Sequence, residues 1–529
     1  MGKYAIGIDY GSKSSRLILV DVSNGQEIAE HVMEYKHSAF CERLQVTPDM
    51  VLHHPLDYLD TIYVGIPRLI QNSSVSPTEI ISIGIDSTTS TVLAVDAHGV
   101  PMCFRDKYAN CPNAYIKLWK DHTAMCEAAR INEILEKENL GSRKMSSEWL
   151  LPKAFYILNN DPELYEEMER FIEVSDWLVW ILTGNEKCSR SQAGFTGLWT
   201  PDRGYIEKSI LNKINTDLKD FVDKKLLPDL YSPFERAGYL AYKEAKKLGL
   251  GMHVAVSISN IDAIAAFPAS GITGPGKMVS VIGTSSCHML QSKSDMNIPN
   301  SMKVKNSIFP GYYTYISSQV AVGDCFNWFF ENIIPYQYYV EARSKNKDIH
   351  CYMEEKLSTV PQRGKCIALD WWNGLRKNSQ LKGIIWGLDI NTKPEDIYLS
   401  LIESTAFGLK LIIEGYEKHN IKVDEICAAG GVAHNSSVIL QIYANIIKKP
   451  IKVSRSKHAS AFGMAIFSSV AAGKENGGYD NMFEATAKMG GAQEICYYPQ
   501  KEYFKLYDQI YKKYKKLYDY FANSDINIL

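Results

Sequence analysis

The sequence predicts an α/β protein built of two related lobes. Three observations lead there. Strand-like apolar runs alternate with segments of helical period: Pro55 to Ile70 places Leu and Ile at helical spacing ahead of the strand-like Ile81-Ser82-Ile83-Gly84-Ile85-Asp86. Such alternation marks mixed sheets covered by helices. A strand, a short polar turn and a returning strand occur twice, more than half the chain apart. Finally, 529 residues with 46% apolar content suffice for at least two cores. The glycine-bearing stretch from Lys246 to Met252 is the expected boundary, giving lobes 1–252 and 253–529.

The first device runs from Ile6-Gly7-Ile8-Asp9-Tyr10 through Gly11-Ser12-Lys13-Ser14 and out along Arg16 to Asp21. Small residues in the turn leave backbone N–H groups free to form a nest for anionic oxygens, with Asp9 at the strand end where Mg²⁺ could be held. A plain exposed turn would use the same residues. Asn24-Gly25 and His98-Gly99, each between short apolar runs, read as tight hairpins. The second device passes from Lys277–Ile282 through Gly283-Thr284-Ser285 to Leu290, and would grip phosphate oxygens in the same manner. Just ahead of it, Ser259-Asn260-Ile261-Asp262-Ala263-Ile264 sets one carboxylate in a largely apolar segment. Asp262 is the candidate base for taking a hydroxyl proton, or the cap of a helix beginning at Ala263. A third element, Ile426 to Asn435, ends an apolar strand in Gly430-Gly431 before a helical pattern, where a flat base could lie against backbone. Glycines at such junctions also serve close packing.

Near the end, Tyr503, Phe504, Tyr507, Ile510, Tyr511, Tyr514, Leu517, Tyr518 and Phe521 mark one helical face, opposite Lys512, Lys513, Lys515 and Lys516. The expected role is a terminal helix docked on the second lobe. The charge balance, 58 basic against 60 acidic residues, gives no reason to expect nucleic acid. Eleven cysteines without a Cys-x-x-Cys pair read as free thiols of a reducing cytosol. No apolar run reaches the roughly 20 residues of a membrane span, and strand pattern begins at once, so no signal peptide is expected. These features point to a cytoplasmic protein without a membrane partner.

The turn Asp9-Tyr10-Gly11-Ser12, the turn Gly283-Thr284-Ser285 and the Gly430-Gly431 element with Asn435 resemble, in order and spacing, the FGGY carbohydrate kinases over nearly the whole chain. Within that family His53-His54-Pro55, Asp86-Ser87-Thr88, Leu118-Trp119-Lys120-Asp121, Ser146-Ser147-Glu148-Trp149, Asp370-Trp371-Trp372-Asn373-Gly374 and Ala461-Phe462-Gly463 look most like the ribulokinase branch. The resemblance implies two actin-like (ribonuclease H-like) ATPase lobes with a cleft between them. It also implies ATP- and Mg²⁺-dependent phosphorylation of a sugar hydroxyl, L-ribulose to L-ribulose 5-phosphate being the expected case. It places Asp262 as base and Asp9 on the metal side. Gly11, Ser12, Lys13, Ser14, Arg16, Gly283, Thr284 and Ser285 fall on the phosphates, and Gly430, Gly431 and Asn435 on the adenosine. Thr89, Trp119, Lys120 and Asp121 are the expected sugar contacts.

Two positions depart from the pattern. Thr196 and Ile316 stand where ribulokinases usually carry Lys and Glu. Losing a charged pair removes hydrogen bonds worth about 1.5–3 kcal/mol each, which Gln319 or Lys120 could replace. Another ketose, a deoxy sugar or a polyol therefore stays open as substrate, and a non-catalytic sensor of sugar and ATP is the reading from a different class. The small-molecule sugar is the expected partner, and a homodimer is compatible with the sequence.

Overall fold

The computed structural model describes residues 2–37, 40–44, 46–140, 144–196, 198–201, 203–227, 229–358, 364–375 and 381–523. They pack as two units. The first comprises Met1–Thr273, Lys303–Thr314 and His458–Gly491, the second Gly274–Met302, Tyr315–Lys457 and Ala492–Leu529. The boundary expected at Met252 thus lies inside the first unit, because the strand Ala255–Ser257 completes that unit's sheet beside Ile80–Ser87.

The first unit's sheet runs, from one edge, Arg236–Tyr239, Ala255–Ser257, Ile80–Ser87, Tyr4–Tyr10, Ser14–Asp21 and Glu27–Glu34. Tyr4–Tyr10 is antiparallel to its hairpin partner Ser14–Asp21 and parallel to Ile80–Ser87. The parallel register sets Gly7 beside Gly84, Ile8 beside Ile85 and Asp9 beside Asp86. Both glycines lie under the helix Ala459–Ala472: a Cβ on Gly7 would fall 1.7 Å from the Ala461 carbonyl oxygen, and one on Gly84 would fall 2.2 Å from that of Met464. Gly463 in turn meets the Ala265 carbonyl of the helix Asp262–Ala269 at 1.6 Å by the same measure. Backbone-to-backbone packing of this closeness is available only to glycine. Ile6, Ile8, Leu17, Leu19, Ile83 and Ile85 contribute to a core on this sheet, and a separate core around Val92, Ala94, Phe155 and Leu211 supports a small sheet that includes Val92–Val95, Ile116–Lys117 and Arg170–Glu173.

The second unit repeats the plan. Its strands follow in the order Tyr313–Gln319, Ser286–Ser292, Lys277–Ile282, Glu425–Ala429, Ile451–Ser454 and Ala492–Tyr497. Lys277–Ile282 is antiparallel to its hairpin partner Ser286–Ser292 and parallel to Glu425–Ala429, as in the first unit. The terminal helix Phe504–Asn523 docks here as expected. It buries Tyr507, Ile510, Tyr511 and Tyr514, with Tyr511 stacked on Phe407 at 5.4 Å.

Candidate active site

Strand register gathers the carboxylates of the first unit. Asp9 is paired across to Asp86, Asp86 to Asn260, and two residues later the helix Asp262–Ala269 begins at Asp262 itself. Asp86 is fully buried and neither of its oxygens has a hydrogen-bond donor. Burial, reinforced by the charges of Asp9 and Asp262, pushes its carboxyl well above the usual range, and Arg16 pulls the other way. Asp262 is half-buried, and its Oδ1 accepts the N–H of Ala263 at 2.6 Å. Burial first and the neighbouring Asp9 second raise its pKa to about 7. A carboxylate so placed is a proton acceptor matched to neutral pH. The capping alternative is not realised: the helix begins at Asp262 itself, its N-cap is Ile261, and no side chain caps it, so Asp262 adds only a first-turn acidic group that favours the helix dipole.

Arg16 reaches Asp9 Oδ2 through Nη1 at 3.3 Å, from the strand that leaves the turn. In the turn the Gly11 N–H donates to the Ser14 carbonyl at 3.1 Å. Gly11 and Ser12 are half-buried, Lys13 is exposed at the tip and Ser14 is buried. Among the described residues no group of three or more His, Cys, Asp or Glu side chains closes into a chelating cage. Asp9 and the unsatisfied Asp86 stand side by side at the strand ends as a pair of carboxyl groups rather than as part of such a cage.

In the second unit Gly283, Thr284 and Ser285 form the hairpin tip, where the Gly283 N–H donates to the Ser285 carbonyl at 2.9 Å. The carbonyls of Gly283 and Thr284 accept the N–H groups of Gly323, Val322 and Asp324 at the start of the helix Gly323–Asn332, which fixes the tip while Thr284 stays exposed. Gly430 has φ of +90°, and a Cβ on it would meet the Ile282 carbonyl oxygen at 2.6 Å. Its role is close packing against the hairpin strand. Gly431 has open space around it, and Asn435 is exposed at the end of the short helix Gly431–Asn435, so these two carry the adenosine expectation.

The sugar-side residues divide. Trp119 and Lys120 are the central pair of a turn closed by the Asp121 N–H on the Leu118 carbonyl at 2.9 Å; both are half-buried, and Trp119 Nε1 donates to Ser12 Oγ at 2.9 Å. Thr89 tops the turn after Ile80–Ser87, its hydroxyl without a partner. Asp121 does not join them. It is fully buried, and its oxygens accept from Val51 N, Thr123 N and Thr123 Oγ1 beside Lys117 Nζ at 3.6 Å. Thr196 is buried too, its hydroxyl turned back on the carbonyls of Gln192 and Ala193 at 3.4 and 3.3 Å. Ile316 is a core residue of the second unit. Gln319 cannot compensate for it, because its amide bridges Asp370 Oδ2 and the Thr405 carbonyl while its oxygen faces His288 Nε2 at 3.0 Å.

Two residues gain a role only from the structure. Asp86 was legible as a second Gly-Ile-Asp at a strand end, echoing Gly7-Ile8-Asp9, but had no role assigned to it. Lys153, the one charge in the run from Leu150 to Ile157, is fully buried.

The N-terminal domain model of the FGGY family of carbohydrate kinases matches residues 4–267 and its C-terminal domain model matches 278–472. This chain belongs to the FGGY family. A ribulokinase of Bacillus licheniformis is 40% identical over 528 residues, covering 97% of this chain and 96% of that protein. One of Geobacillus thermodenitrificans is 38% identical over 542 residues, covering 100% and 96%. Among solved structures, a xylulose kinase from Rhodospirillum rubrum superposes with TM-score 0.81 at 18% identity, covering 98% of this chain and 99% of that one. A Plasmodium falciparum glycerol kinase with ADP superposes with TM-score 0.78 at 15% identity, covering 99% of each. The fold is the two-domain, actin-like one of FGGY kinases. No helix among the described residues is long and apolar enough to cross a membrane.

Proposed function

We propose that this FGGY kinase transfers the γ-phosphoryl group of ATP to a ketopentose, converting L-ribulose to L-ribulose 5-phosphate. The observation that carries the reading is Asp262, poised near neutral pKa beside Asp9 and Asp86. Full-length similarity to ribulokinases supplies the substrate. A sensor that never turns over has no need of such a base.

In this mechanism Asp262 accepts the proton of the attacking hydroxyl, which frees the oxygen for in-line attack on phosphorus. Asp9 and Asp86 are the residues that would hold Mg²⁺, which would supply neutralisation of phosphate charge. Arg16, with the N–H groups of Ser12 and Lys13, receives phosphate oxygens in the first unit, the Gly11 N–H being taken by the Ser14 carbonyl. Thr284, with the Gly283–Ser285 tip, offers the corresponding donors in the second. Trp119 presents a flat apolar surface to the C–H face of the sugar, with Lys120 and Thr89 supplying polar contacts. Because Thr196 and Ile316 are buried, specificity falls on those three residues, and this keeps a second ketose as the alternative substrate.

The test is sugar-dependent ADP release with Mg-ATP across ketopentoses, deoxy sugars and polyols, led by L-ribulose and D-ribulose. Turnover of L-ribulose supports the reading. Turnover of another sugar alone moves the substrate, and silence across the panel removes the kinase assignment.

A further inference from the structure

Lys153 lies in the helix Leu150–Asn160 among Leu150, Leu151, Ala154, Phe155 and Ile157, with no exposed surface. Lysine is almost never fully buried without partners. Here the partners are main chain: Nζ donates to the carbonyls of Ser90 and Leu118, each at 2.7 Å. Those two carbonyls belong to the two turns that carry the sugar-side residues. Leu118 opens the turn whose central pair is Trp119 and Lys120. Ser90 follows Thr89 in the turn at the end of the Asp86 strand.

The Ser90 turn is also strained. Ser90 has φ of +53°, in the left-handed region that residues other than glycine rarely adopt. Something must hold it there. Thr88 Oγ1 and Thr91 Oγ1 close the turn at 2.6 Å, and the buried carboxylate of Glu173 accepts from the Ser90 and Thr91 backbone. Lys153 completes the grip from the carbonyl side. An apolar residue would suit this helix position better, since burying an amine is costly, and burial lowers the pKa of Lys153 to about 7.

We propose that Lys153 is a positioning residue for sugar binding, one ammonium clamping the Thr89 turn and the Trp119-Lys120 turn to each other. The inference rests on the kinase reading. It adds that ketose affinity depends on a side chain that never touches the ketose. The phosphate turn Gly11–Ser14 touches the clamped pair through Trp119 Nε1 on Ser12 Oγ, but its backbone is held independently of Lys153, by the Gly11 N–H on the Ser14 carbonyl and by Tyr35, whose N–H and hydroxyl donate to the Lys13 and Gly11 carbonyls.

The test compares wild type with Lys153→Met and Lys153→Gln in steady-state kinetics, varying ketose and ATP separately. Lys153→Met removes both bonds and should raise the ketose KM at least tenfold while the ATP KM stays within twofold. Lys153→Gln keeps an amide donor on a shorter stem and should fall between Met and wild type. A purely structural role would lower the melting temperature and shift both KM values together, which overturns the proposal, as does a ketose KM within twofold of wild type in both variants. If Lys153→Met does not fold, Lys153→Gln decides alone, a threefold rise in ketose KM supporting the clamp and a rise below twofold overturning it. If wild type turns over no sugar, the kinase reading fails first. The clamp is then judged by amide exchange: tenfold faster exchange confined to 88–91 and 118–121 in either variant supports it, and unchanged exchange there overturns it.

Discussion

Replacing Asp262 by Asn keeps the side chain's size and its oxygen acceptor for the Ala263 N–H, now 2.6 Å away, and removes the basic oxygen. General-base assistance contributes roughly 10²- to 10⁴-fold, so the variant should lose about 3–5 kcal/mol of transition-state stabilisation while ATP affinity survives. The pH dependence is the sharper readout. With the carboxyl at a pKa of about 7, only the ionised fraction acts as base. The kcat/KM for sugar should therefore roughly double from pH 7 to pH 8 and fall about tenfold per unit below pH 6, the limb reporting the free enzyme. In Asp262→Asn that limb should vanish. Coupled ADP-release assays from pH 5.5 to 9, with nucleotide affinity by calorimetry, measure both. Near-full turnover in the variant, or an acid limb that persists unchanged, would reduce Asp262 to the opening residue of its helix.

Other variants probe the neighbouring groups. Asp86→Asn removes a buried, unsatisfied carboxylate. Because the folded state raises its pKa, Asp86 costs the fold stability as pH climbs above about 4, where the unfolded chain releases the proton that the folded state retains. The variant should therefore melt at higher temperature than wild type at pH 7, gain less melting temperature from added Mg²⁺ than wild type does, and lose at least 100-fold in turnover. Gly430→Ala forces a side chain into φ of +90° against the Ile282 carbonyl, which should cost about 1–3 kcal/mol in denaturant titration. Tyr514→Phe deprives buried Asp370 of its 3.0 Å hydroxyl donor and should lower stability by about 1–3 kcal/mol with ketose KM unchanged.

The hairpins were legible because each needs only local chemistry, an apolar strand, a small polar turn and a return. The terminal helix was equally open to reading, through the spacing of its tyrosines. The unit boundary was not, because Ala255–Ser257 and the helix Ala459–Ala472 join the first sheet by contacts distant in sequence. Asp121, Thr196 and Gln319 were misplaced for one common reason. A polar side chain beside a functional motif looks alike whether it faces a ligand or satisfies buried backbone, and only the bonds to Val51, Gln192 and Thr405 tell the two apart. Asp86 needed the register that lays one Gly-Ile-Asp beside the other.

The most direct measurement is ADP release from purified protein and Mg-ATP with L-ribulose, set beside D-ribulose, deoxy sugars and polyols. L-Ribulose should support the highest kcat/KM, with ADP and sugar phosphate formed one for one. ADP release independent of any sugar in the panel would contradict the assignment of a ketopentose kinase.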